Sequence, residues 1–130
     1  MEYKTFNKGK VIFHEGDEAD CMLLVATGKV GVYGAYGTAR EKLLGEYYPD
    51  QFLGEMGLLE HETRSATAVA MEDSTSVAIV SEANFSEYFS KKPPQILKLM
   101  QQLSKNLRST SKAYLDVCRE VQELAAKEEQ

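Results

Sequence analysis

Two side chains suited to a sugar phosphate stand nine residues apart near the middle of the chain, Glu55 and Arg64. A carboxylate accepts hydrogen bonds from ribose hydroxyls, and a guanidinium presents a planar fork of N–H donors that matches a phosphate. Gly54 precedes the acid within Phe52-Leu53-Gly54-Glu55-Met56-Gly57-Leu58-Leu59. That segment reads as a glycine-bearing turn leading into a short helix, whose first amides lack internal partners and favour an anion. Ser65 adds a hydroxyl and a backbone N–H beside the arginine. An acid, an arginine and free amides in one loop together fit a sugar phosphate. The alternative is a surface ion pair between Glu55 and Arg64, which contributes less than about 1 kcal/mol.

Other chemistries find little support. Metal-dependent jelly-roll enzymes cluster two or three histidines with a carboxylate, whereas His14 and His61 are 47 positions apart. No Ser-His-Asp or Cys-His set stands out, so an enzyme is not expected. Cys21 and Cys118 are 97 positions apart and too few for an iron–sulphur cluster. Without a secretory signal they read as reduced thiols of a cytoplasmic protein. Fifteen Lys and Arg against twenty Asp and Glu give a net charge of −5, the wrong sign for a nucleic-acid surface. No apolar run approaches the roughly 18 residues of a membrane span. The composition, 43% hydrophobic and 27% charged, is that of one globular domain.

The elements that must position Glu55 and Arg64 are short strands. Val11–Phe13, Met22–Val25, Val30–Tyr33, Leu43–Tyr48, Thr67–Val69 and Val77–Val80 are β-branched, aromatic or leucine-bearing runs. Lys8-Gly9, Glu15-Gly16-Asp17, Thr27-Gly28-Lys29, Tyr36-Gly37 and Pro49-Asp50 punctuate them. Spacings of this kind predict an antiparallel jelly roll over residues 3–80 rather than an α/β sheet. Ser81 can cap a short helix over 81–90, which Lys91-Lys92-Pro93-Pro94 ends.

From Pro94 to Lys127 there is neither Gly nor Pro, and a long helix is predicted over 94–127. Its apolar positions Ile96, Met100, Leu103, Leu107, Tyr114, Val117, Val121 and Leu124 fall in steps of four and three, with Thr110 the one polar member. This is a heptad seam. About 30 residues span roughly 45 Å, more than a small barrel covers, so a second copy is the simplest partner. The alternative is one amphipathic helix lying on its own barrel. The expected fold is therefore mainly β with C-terminal α, a single domain over 1–130: a jelly roll flanked by a short helix and a long C-terminal dimerisation helix.

Leu53-Gly54-Glu55-Met56-Gly57-Leu58 followed by Arg64-Ser65-Ala66 resembles the phosphate-binding cassette of the cyclic-nucleotide-binding domain family. Glu15-Gly16-Asp17 with Asp20, Gly28-Lys29-Val30-Gly31-Val32-Tyr33 and a terminal helix after a proline extend the likeness over residues 3–118. The resemblance implies that Glu55 binds the ribose 2′-hydroxyl and Arg64 the cyclic phosphate, with Gly54 and Ser65 completing the cradle. Val32, Leu44 and Met56 would line the apolar wall, and Thr110 and Ser111 would meet the purine. Departures are Asp50-Gln51 before the cassette, where the family usually has Gly-Asp, and Leu53 in place of an aromatic residue. The family's transcription factors continue into a DNA-reading domain; this chain stops at Gln130, so direct DNA binding is not expected. The expectation is a regulatory sensor for cyclic AMP, or else cyclic GMP, with no other cofactor and no metal. A ligand-free dimeric scaffold of the same fold is the competing reading.

Overall fold

Eight strands and three helices form between the turn signals: β1 (Glu2–Phe6), β2 (Val11–Phe13), β3 (Cys21–Thr27), β4 (Val30–Gly34), β5 (Lys42–Tyr47), β6 (Phe52–Leu53), α1 (Glu55–Leu59), β7 (Thr67–Ala70), β8 (Thr75–Ser81), α2 (Glu82–Lys91) and α3 (Pro93–Glu128). The computed structural model describes residues 1–128. The strands make two four-stranded sheets, ordered β1-β8-β3-β6 and β2-β7-β4-β5, with every pairing antiparallel. This is the mainly β architecture with flanking helices that the strand spacing predicts.

The core lies in the first of two compact units, Met1–Pro93, and is built from Leu23, Val25, Val30, Leu53, Ala68 and Val77. Strands β3 and β8 are buried on both faces. Met22, Leu24, Ala78 and Val80 alternate with the core residues and point the other way, where α1 packs on β3 and α2 on β8. Phe89 of α2 is 2% exposed, its ring 6.0 Å from that of Phe52. Burying a phenyl ring this fully contributes roughly 1.5–3 kcal/mol. These contacts fix α1, and with it the cassette, against the sheet.

Helix α3 makes up nearly all of the second unit, Pro94–Gln130. Its seam is exposed: Met100 at 61%, Leu107 and Tyr114 at 68%, Leu124 at 62%. Leu99 is the one buried side chain among its described residues.

Candidate functional site

Arg64 is the anchor of the site. It is 8% exposed, and its position is fixed from the backbone outward. The Arg64 N–H donates to the Asp17 carbonyl and the Arg64 carbonyl accepts from the Gly16 N–H, both at 2.8 Å. The Glu15-Gly16-Asp17 turn, both a turn signal and part of the family likeness in the sequence, thus clamps the arginine's main chain. Outward, Nη1 donates to the Gly54 carbonyl at 2.9 Å and Nη2 to the Cys21 thiol at 3.5 Å. The Phe13 ring lies beneath the guanidinium, 4.4 Å from centroid to Cζ.

Gly54 is required twice. It adopts φ 70°, ψ 25° at the start of α1, a left-handed conformation that costs an L side chain roughly 1 kcal/mol or more. A Cβ there would also collide with Arg64 Nη1, and one on Gly57 would stand 2.8 Å from the same atom. The two glycines of the cassette leave the space that the guanidinium fills.

Among the described residues no carboxylate lies within ion-pair distance of Arg64. The sequence left open a surface ion pair between Arg64 and Glu55; the arginine is instead buried without a counter-ion. A buried charge of this kind is costly unless something of opposite sign arrives.

A cavity of about 100 Å³, partly open to solvent, faces the guanidinium. Val32, Gly54, Glu55, Met56, Arg64 and Ser65, all singled out in the sequence, line it together. Glu55 is half-buried, and Met56 is 43% exposed at the rim. Phe13 and Tyr47 also line it and escape the sequence reading. Burial first, then the Glu55 charge, holds the Tyr47 phenol above its ordinary range, which places that hydroxyl in the field of Glu55.

Leu44 is a correction. It is 57% exposed and is not part of the wall. Val32 pairs with Gly45 and Tyr33 with Leu43, so a bulge inserts Leu44 as an extra residue and removes it from the alternation that would turn it inward. Tyr47, two residues beyond Gly45 on β5, lines the cavity instead. Thr110 and Ser111 belong to α3, in the second unit, and both are exposed. The Thr110 hydroxyl donates to the Asn106 carbonyl at 3.0 Å. No group of three metal-ligating side chains occurs among the described residues, and none of their helices is long and apolar enough to cross a membrane.

The sequence profile of the cyclic nucleotide-binding domain matches residues 3–92. The chain belongs to this family. Its whole cavity lies within the matched span. A cyclic AMP receptor protein of Thermus thermophilus is 37% identical over 82 residues, 63% of this chain and 38% of that protein. Among solved structures, the Thermus thermophilus catabolite activator protein superposes with a TM-score of 0.73 at 31% identity, covering 89% of this chain and 54% of that one. The EAL enzyme Bd1971 superposes in a cAMP-bound form (TM-score 0.60, 33% identity, 84% of this chain and 29% of that one) and in a cGMP-bound form (TM-score 0.59, 32% identity, 82% and 28%). The chain therefore has the fold of a cyclic nucleotide-binding domain and spans well under two thirds of the length of these relatives.

Proposed function

We propose that this chain is a regulatory sensor that binds cyclic AMP at the Arg64 cavity and passes binding on through α3. One observation carries the reading: a buried guanidinium with no carboxylate partner among the described residues, held open toward a cavity that Glu55 also lines. A ribose cyclic phosphate satisfies both ends at once. Its anion meets Arg64, Ser65 and the start of α1, while its 2′-hydroxyl donates to Glu55. Val32 and Met56 supply the apolar wall for the base.

Thr110 favours adenine over guanine. Its hydroxyl donates to the Asn106 carbonyl, which leaves the oxygen an acceptor that suits the 6-amino group of adenine and not the 6-carbonyl of guanine. Ser111 stands beside it on the helix. The exposed seam of α3 supports pairing with a second copy, which would make the sensor a homodimer. The role is non-catalytic and the setting cytoplasmic.

Calorimetry with cyclic AMP and cyclic GMP tests the assignment. The parent chain should bind cyclic AMP more tightly. Arg64→Ala should abolish binding with the melting temperature nearly unchanged, because a hydrogen bond to a charged group contributes about 1.5–3 kcal/mol and Arg64 can make more than one. Glu55→Ala should weaken binding less, since it loses contact with a neutral hydroxyl. Undiminished binding by Arg64→Ala would remove the cavity from the function.

A further inference from the structure

Among the described residues, the arginine at the centre of this site is held by neutral groups: a carbonyl, a thiol and a phenyl ring. Each stabilises a positive charge without cancelling it. They differ in what they leave free. The Gly54 carbonyl and the Cys21 thiol each accept an N–H of the guanidinium, whereas the Phe13 ring faces its central carbon. An aromatic ring attracts the cation through its quadrupole and brings no negative charge to compete with a phosphate for the remaining N–H groups. A carboxylate in the same place would hold the arginine more strongly and compete with the incoming anion.

Phe13 is itself well anchored. It lies at the end of β2, opposite Ala68 of β7, and packs against the main core cluster. The register slips between Val11 and Phe13, an irregularity of the sort that re-aims a side chain. The ring approaches Gly54 as well, 3.8 Å from where a Cβ there would stand, so Phe13, Gly54 and Arg64 form one mutually limiting set.

We infer that Phe13 is a positioning residue for anion binding: its ring face holds the Arg64 guanidinium aimed into the cavity before the ligand arrives. The inference rests on the cavity's being the phosphate site, and it concerns how Arg64 is prepared. It needs a test that alters the ring's charge distribution and leaves its shape alone, because Phe13 also packs on the core.

Substituting 4-fluoro-, 3,5-difluoro- and 3,4,5-trifluorophenylalanine at position 13 of the full chain weakens the quadrupole stepwise at nearly constant size. Affinity for cyclic AMP should fall steadily along the series, by about three- to tenfold in total, while the melting temperature stays level. Phe13→Tyr should keep near-parent affinity, and Phe13→Leu should lose at least as much as the trifluoro variant. A second readout needs no nucleotide: in ligand-free protein labelled with ¹⁵N, the Arg64 guanidinium signals should show slow rotation in the parent and faster rotation as fluorine is added. If the parent bound neither cyclic nucleotide, the ligand assignment would fail while the Arg64 signals still decided the role of Phe13. Affinity and Arg64 dynamics that both ignore fluorination would overturn the inference and leave Phe13 a packing residue.

Discussion

Tyr47 carries a pH dependence that follows from its neighbours. Burial and the Glu55 charge both raise its phenol above the usual value near 10. The folded chain therefore holds this proton more tightly than the unfolded chain does. The stability this gives is fully present below about pH 10 and is lost as pH rises through the folded value. Tyr47→Phe removes the titration, so its melting temperature should fall less steeply above about pH 10, with a difference of about 2–5 °C at the alkaline end. Identical alkaline profiles for parent and variant would show that the phenol is not held in this way. The residues of the site divide by how they reach it. Gly54, Glu55, Arg64 and Ser65 were legible because one loop carries them all and their chemistry is explicit. Phe13 and Cys21 lie 51 and 43 positions from Arg64 and arrive through strand pairing. Neither looks like a ligand residue by type, since each acts on the arginine. Leu44 lies off the wall for a related reason: a bulge changes which side chains alternate inward, and Gly45 inside the strand is the signal that could have shown it.

Elements with strong local signals formed as their sequence predicts. Helix α2 begins at Ser81, whose Oγ accepts from the Asn84 N–H at 3.4 Å while Asn84 Oδ1 accepts from the Ser81 N–H at 2.8 Å. Ser81→Ala should therefore cost about 1 kcal/mol in denaturant unfolding, and a variant as stable as the parent would mean that the cap contributes nothing. Strand β1 was not legible. Glu2–Phe6 alternates charged and hydroxylic residues, only Phe6 is even half-buried, and the strand exists because it pairs along β8 at the sheet edge. Strand β6 is two residues long, below what any pattern can report. The long helix was legible from its heptads, and their exposure is what supports the proposed pairing with a second copy. Full-length chain should sediment as a dimer at tens of micromolar, as a rough working concentration, and a chain truncated after Ser104 as a monomer, having lost Leu107, Tyr114, Val117, Val121 and Leu124. A monomeric full-length chain would remove the dimer.

At the scale of the whole molecule, the proposed coupling between nucleotide and helix is a matter of linkage. A ligand shifts the arrangement of α3 only as far as it binds one arrangement better than another, and Thr110 is the residue through which such a difference would act. It is the polar member of an otherwise apolar seam, and its hydroxyl proton already serves the helix by donating to Asn106. Thr110→Val keeps the branched shape and removes the oxygen. Helix pairing should strengthen or stay the same, because an apolar residue replaces a polar one in the seam. Affinity for cyclic AMP should fall by about five- to tenfold, the equivalent of on the order of 1 kcal/mol for a lost hydrogen bond. Cyclic GMP should lose less, since it does not present the same donor. A Thr110 that served only the seam gives the opposite pair of results: altered dimer stability with unaltered nucleotide affinity. Sedimentation and calorimetry on this one variant therefore separate a helix that senses the ligand from a helix that merely joins two copies.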